Sequence, residues 1–335
     1  MVQMSYREAV AHGIAQEMRR DPRLVMLGED VAGAGGVFKT NAGLLETFGP
    51  DRVRDTPISE QAILGAAMGA AMTGIPVIAE IMFSDFFAVC FDVLANQIAK
   101  TRYMTGGQVS LPLVVQTLNG GGARFGAQHS QSVENWFMMI PGLKVVAPST
   151  PADVVGLMAA SIRDPDPVVF FEHKALLATE DEVPDGEHVD QLGTAMVRRI
   201  GSDVSIVALA AMVPRALTAA EALAEEGISA EVVDLRSLVP LDTRTVLSSV
   251  TKTGRLVTVE ENPRLCGWGS EVSSIVVDEA FWDLEAPVVR VTTPHIPIPA
   301  AAPLEDQALP SVSSILNAVR PLVGLEPGDS TSGEA

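Results

Sequence analysis

Short β-branched runs alternate with longer helical patterns along nearly the whole chain, and this alternation confines the fold to parallel α/β sheets. Candidate strands lie at residues 24–27, 77–81, 113–117, 144–147 and 168–171, with helical patterns at 5–20, 60–73, 86–104 and 152–163 between them. Runs such as PLVVQT and PVVFF are apolar throughout, which suits strands covered on both faces. The character changes over residues 179–191, TEDEVPDGEHVDQ, a polar and acidic stretch that reads as a linker. A second alternation follows: strands at 204–210, 230–235, 255–260 and 288–292, and helices at 214–226, 242–251, 268–281 and 305–319. The expectation is a first α/β domain over 1–178, a linker over 179–195, a second α/β domain over 196–325 and a disordered tail over 326–335. A chain of 335 residues is long enough for two such cores.

Charge excludes several partners. Lys plus Arg number 23 against 42 Asp plus Glu, a net charge of −19. Phosphate backbones and anionic lipid both need a basic surface, so neither nucleic acid nor a membrane surface is an expected partner. Residues 61–79, QAILGAAMGAAMTGIPVIA, imitate a membrane span in length. Gly74 and Pro76 break the run, so a small-residue helix feeding a buried strand accounts for it better. Cys90 and Cys266 lie far apart and suggest no disulfide framework; Cys90 sits in an apolar helix as a core thiol. The start, MVQMSYREAVAHG, lacks a basic segment followed by an apolar run, and the expected location is the cytoplasm.

In open α/β sheets, ligands collect at the carboxyl ends of strands and at helix N-termini. Three such loops carry unusual residues. In DTPISE, Ser59 is a candidate N-cap and Glu60 opens the helix that follows. Glu60 either complements the helix dipole or is a carboxylate aimed into a cleft for acid–base work, and spacing alone leaves both open. The glycine-rich loop NGGGARFGAQHSQ, residues 119–131, lacks the Lys-Ser/Thr of a phosphate loop and delivers His129 instead, with a structural or a catalytic role. Glu29-Asp30 follows the first strand and is either a solvated turn or a third part of the site. There is no GxSxG elbow, no HExxH and no CxxC pair, so serine hydrolase and zinc chemistry lack support.

Four long segments carry a resemblance: DTPISEQAILGAAMGAAMTGIPVIAEIMFSDF, AKTRYMTGG, GAQHSQSVENWFMMIPGLKVVAPSTPAD and IRDPDPVVFFEHK. With VDLRSLVPLD and LVTVEEN in the second half, they resemble the beta subunits of thiamine-diphosphate-dependent 2-oxo acid dehydrogenases, in the transketolase-like superfamily. The resemblance spans residues 4 to about 323. Within the family, EIMFSDFFAVCFD, NQIAK and FFEHK look most like the acetoin type, then the pyruvate type, and less like the branched-chain type.

The resemblance implies a pyrimidine-binding domain followed by a transketolase C-terminal-like domain. Glu60 would be the glutamate that hydrogen-bonds the cofactor's pyrimidine nitrogen and favours its imino tautomer. Glu29, Ile58, Met82 and Phe86 match positions lining the aminopyrimidine pocket. His129 matches the histidine that assists transfer of the substrate-derived group to lipoamide. Leu113, Ser161, Ile162, Asp164 and Asp166 match positions that hold a potassium ion, largely through main-chain carbonyls; here Pro165 lies inside that turn, and Asp166 stands where the family often has Asn. The family's GDG-type motif, which holds the diphosphate and its magnesium, is carried on the alpha subunit, and no GDG occurs in this sequence. The implied assembly is a heterotetramer of two alpha and two beta chains that passes its acyl group to a lipoyl-bearing acyltransferase component. A stand-alone transketolase-type synthase and a non-catalytic scaffold are the competing readings; the missing diphosphate motif opposes the first, and the presence of Glu60 and His129 opposes the second.

Overall fold

A computed structural model gives the fold and describes residues 1–326; the expected tail lies, from residue 327 on, outside the described residues. The chain forms two compact units. The first contains Met1–Gly120, Trp136–Leu192 and Leu238–Pro240; the second contains Gly121–Asn135, Gly193–Ser237 and the chain from Leu241 onward.

The first unit is built on a seven-stranded sheet. In chain order its strands are β2 (Val25–Gly28), β3 (Val53–Asp55), β4 (Val77–Phe83), β5 (Leu113–Asn119), β6 (Lys144–Val146), β7 (Val168–His173) and β12 (Ser237–Val239), whose residues 238 and 239 cluster with this unit. They stand in the order β12-β6-β7-β5-β4-β2-β3, and every pair from β6 to β3 is parallel. β5 and β7 are buried along their whole length, as continuous apolar runs covered on both faces must be. Helix Tyr6–Arg20 opens with a capping box, in which Ser5 Oγ accepts from Glu8 N at 3.3 Å and Glu8 Oε2 accepts from Ser5 N at 2.8 Å. Its buried face (Tyr6, Val10, Ile14, Met18) packs on helix Pro151–Arg163, which starts with Thr150 as cap and proline at its first position. Each such fully buried side chain contributes about 1.5–3 kcal/mol.

Two expectations about this unit are corrected. The helix expected over 86–104 is broken: Phe87–Asp92 has a non-helical Cys90 (φ −120°, ψ 15°), Val93–Ile98 is a π-helix, and Ala99–Met104 resumes the α form. Part of the expected linker is a strand, β8 (Glu180–Val183), paired antiparallel with β1 (Val2–Ser5). It escaped the pattern because Glu180, Asp181 and Glu182 are exposed and only Val183 is buried, so no apolar alternation marks it. The segment that imitates a membrane span is helix Glu60–Met72 followed by β4, and among the described residues no helix is long and apolar enough to cross a membrane.

The second unit holds a five-stranded sheet of β9 (Met196–Arg199), β10 (Val204–Ala208), β11 (Ala230–Asp234), β13 (Leu256–Pro263) and β14 (Val289–Thr293), in the order β14-β13-β10-β11-β9. All its pairs are parallel except β9 on β11. The single closing helix expected over 305–319 is two, Ala302–Ala308 and Val312–Val319. Pro310 cannot continue the first, and Ser311 with Ser314 caps the second.

Candidate active site

In a parallel sheet the carboxyl ends of all strands share one edge, and the first unit brings the candidate pyrimidine-pocket residues there. Glu29 directly follows β2, Glu60 opens the helix after β3, and Met82 and Phe86 flank the end of β4. Gly28 makes the crowding possible: a Cβ on it would lie 2.8 Å from Val31 Cγ1 and 2.9 Å from the Glu80 carbonyl oxygen. The loop after β2 is fixed by Asp55, whose carboxylate accepts from Ala32 N at 2.7 Å and Gly33 N at 3.1 Å.

Glu60 and Glu29 are each only 9% exposed. Burial raises the pKa of Glu29, and the charges of Glu60 and Asp30 add to that rise. Ser59 stands at the N-cap position as expected, but its hydroxyl makes no bond to the helix. Cys90 is fully buried, and burial with the nearby charge of Glu60 pushes its thiol up to about 12, so it is an inert core group. Met82 and Phe86 are half-buried, and the Phe86 ring meets Phe83 edge-on at 5.4 Å. Ile58 projects outward, 83% exposed. A partly buried acid pair beside half-buried apolar side chains fits a flat nitrogen heterocycle.

Behind this pair stands a group that the sequence reading missed. Glu80 on β4 is paired in register with Gln116 on β5 and is 2% exposed; Asn41 Nδ2 donates to its Oε2 at 2.5 Å and Gln116 Nε2 at 3.3 Å. Burial pushes Glu80 up to about 7, against the Asn41 hydrogen bond that lowers it and with the Glu29 charge that raises it. Glu172 on β7 is 1% exposed and is raised well above the carboxylate range by burial and by Glu80. The signal was a lone acid in each of the apolar strands VIAEIMF and VVFFEH.

The other candidates lie elsewhere. Leu113 begins β5, Ser161 and Ile162 sit in the last turn of helix Pro151–Arg163, and Asp164 and Asp166 precede β7, so the potassium set occupies the opposite, amino edge of the sheet. Its carboxylates already have cations: Lys144 Nζ lies 2.5 Å from Asp164 Oδ2, and Arg102 Nη1 lies 2.6 Å from Asp166 Oδ1. An ion there would rely on carbonyl oxygens. His129 is half-buried in the loop that clusters with the second unit, its N–H donating to the Gly126 carbonyl at 3.2 Å.

The family is fixed by comparison with known proteins. Residues 2–180 match the model of the transketolase pyrimidine binding domain and residues 193–315 that of the transketolase C-terminal domain. The chain therefore belongs to the transketolase family, built as a two-domain α/β protein with mostly parallel sheets. Among its relatives it is similar to the beta subunit of acetoin:2,6-dichlorophenolindophenol oxidoreductase of Cupriavidus necator, at 49% identity over 95% of this chain and 96% of that one. The Bacillus subtilis protein of the same name is 45% identical, covering 96% and 97%. The mitochondrial pyruvate dehydrogenase E1 component subunit beta-1 of Arabidopsis thaliana is 45% identical over 94% of this chain and 88% of that one. A solved split-gene transketolase, described as an inactive beta4 tetramer, superposes with a TM-score of 0.79 at 27% identity, covering 96% of this chain and 99% of its own. Within the family, then, the chain stands with the beta subunits of acetoin- and pyruvate-type dehydrogenases, as one subunit of an enzyme complex.

Proposed function

We propose that this chain is the beta subunit of a thiamine-diphosphate-dependent dehydrogenase of the acetoin or pyruvate type, working with an alpha subunit in a two-alpha, two-beta assembly. Thiamine diphosphate, when bound, supplies the chemistry that cleaves the carbon–carbon bond next to the substrate carbonyl, and the acyl group goes to lipoamide on an acyltransferase component. The observation that carries the reading is Glu60, buried at a helix start on the carboxyl edge of a parallel sheet and close enough to Glu29 to raise its pKa. With the cofactor bound, Glu60 would hold a proton at the pyrimidine ring nitrogen, and Glu29, its pKa raised by burial and by the charges of Glu60 and Asp30, would stand beside it as a second acid. Met82 and Phe86 provide the apolar wall that excludes water, and Ile58 is an exposed apolar group for the cofactor or the alpha chain to cover. His129 serves the later transfer of the acyl group. The diphosphate and its magnesium fall to the alpha subunit, and potassium, where bound, to the carbonyls of Leu113, Ser161, Ile162, Asp164 and Asp166. Two cysteines, both free of disulfide bonds, suit an assembly working in the cytosol.

Co-expression with an alpha-type partner tests this. Thiamine-dependent dye reduction is measured with acetoin, pyruvate and branched-chain 2-oxo acids side by side, with and without the alpha chain. Activity only in the complex, strongest with acetoin or pyruvate, is the expected result. Activity of this chain alone, or full activity of a Glu60→Gln complex, would overturn the shared-site reading.

A further inference from the structure

The glycine-rich loop carrying His129 is tied down by acids that come from far along the chain, all within the second unit. Glu261, 7% exposed at the end of β13, accepts on the single atom Oε1 from Gly121 N at 2.5 Å and from Ser132 Oγ at 2.7 Å. These donors are the entrance and the exit of the loop, so one carboxylate oxygen closes its neck. Next to it Asn262, fully buried, donates Nδ2 to the Ser132 carbonyl at 2.8 Å. Glu305, also fully buried, takes the ascending limb with both oxygens: Oε1 accepts from Gly122 N at 2.9 Å, and Oε2 from Arg124 N at 3.2 Å and Arg124 Nη1 at 2.7 Å. Arg124 sits at φ +65°, a conformation that costs a non-glycine residue energy and persists only where its surroundings hold it. Charge-assisted bonds to backbone N–H groups are about twice as strong as neutral ones. Five bonds, three of them from backbone N–H groups, converge on two buried carboxylates and hold a glycine-rich loop whose ordering costs conformational entropy.

We propose that Glu261 and Glu305 are positioning residues, which clamp the neck and one limb of the 121–132 loop so that His129 is presented in a fixed place. The proposal rests on the reading of His129 as a group that works in acyl transfer. The two clamps meet the loop differently: Gly121 N and Ser132 Oγ both donate to Oε1 of Glu261, whereas Glu305 uses both oxygens, so Glu305→Gln turns an NH2 group toward donors that need an acceptor.

The test uses the alpha–beta complex carrying Glu261→Ala, Glu305→Gln, His129→Ala or the mild Ser132→Ala, which removes one of the Glu261 donors. Hydrogen exchange of residues 121–132 is measured together with reductive acylation of a lipoyl domain and with dye reduction. Exchange in the loop should rise at least tenfold in Glu261→Ala and Glu305→Gln and rise less in Ser132→Ala. Acylation should fall in step with loop exchange, by loss of kcat rather than a rise in KM, while dye reduction falls less. Unchanged loop exchange in Glu261→Ala and Glu305→Gln would overturn the clamp. Raised exchange with parental acylation, where His129→Ala abolishes acylation, would overturn the positioning role alone. Parental acylation in His129→Ala would remove the role given to His129 and the positioning role with it, and the exchange data would tell that outcome from a failed clamp.

Discussion

Replacing Glu80 with Gln exchanges a buried titratable acid for a neutral isostere, and the fold sets how the effect on stability varies with pH. Glu80 is 2% exposed, with Asn41 Nδ2 2.5 Å from Oε2, and burial pushes it up to about 7. In the unfolded chain a glutamate titrates near ~4.3. The folded state therefore binds the proton more tightly, so the stability that Glu80 contributes is complete below the unfolded value and is lost as pH rises through the folded one. Between those values each pH unit is worth ~1.36 kcal/mol, which gives a loss of about 4 kcal/mol by pH 8, about 2–3 kcal/mol of it above pH 5. Gln keeps an acceptor for Asn41 and has no proton to lose. The variant should lie within about 1 kcal/mol of the parent near pH 5 and exceed it by about 2–3 kcal/mol near pH 8. Exchange of the β4 and β5 amides, converted to opening free energies at each pH, measures this in the first unit itself. Parent and variant curves running parallel from pH 5 to 8.5 would refute the argument that burial holds the proton on Glu80.

Glu60→Gln should lower dye-reduction turnover of the complex by about 10²–10⁴-fold, the range that proton transfer contributes, with the assembled mass unchanged by size-exclusion chromatography. Gly142→Ala should destabilise the first unit by more than about 2 kcal/mol, read as a lower urea midpoint, because the new Cβ would lie 1.9 Å from the Ala99 carbonyl oxygen at φ +105°. Glu260→Ala should cost about 3–5 kcal/mol in the second unit, seen as a lower melting temperature, since it leaves Arg290 unpaired with its side chain only 10% exposed; Glu260→Gln should cost less.

The parallel alternation was legible because buried parallel strands are written as continuous apolar runs, and β4, β5, β7, β10 and β11 all are. The π-helix over Val93–Ile98 was not, because an apolar run reads the same whether its bonds span four residues or five. Glu29 and Glu60 stood out by position, one after a strand and one at a helix start. Their role stayed open because burial decides it, and burial comes from packing that spacing does not encode. Ile58, Met82 and Phe86 were reached only through the family resemblance, since an apolar residue in an apolar run carries no mark of function. The allegiance of the His129 loop was the least legible feature: it depends on Glu261 and Glu305, more than a hundred residues away in sequence. Glu80 and Glu172 were legible in principle, because a lone acid in an apolar strand must be neutralised or hydrogen-bonded.

The same acids bear on the proposal that the site is shared. Register places Gly28 beside Glu80 and Glu80 beside Gln116, while Glu172 lies opposite Leu118, two residues further along β5; charge, not register, links the acids from Glu172 through Glu80 to Glu29 and Glu60. Along that row each charge acts on the next: Glu80 raises the pKa of Glu172, Glu29 that of Glu80, and Glu60 that of Glu29. Such a row is negative wherever it ionises, and it resists any further negative charge brought close to it. It favours a ligand that is neutral or accepts protons, as an aminopyrimidine does. It disfavours a diphosphate, whose charges need main-chain N–H groups, a metal ion or basic side chains. A chain that concentrates acids on the edge proposed for its ligand is suited to the uncharged, proton-accepting half of a zwitterionic cofactor. The anionic half is better placed on a second polypeptide, where its donors need not share a field with Glu29 and Glu60. The electrostatics of the first unit support the proposed division, and so does the absence of a GDG motif from the sequence.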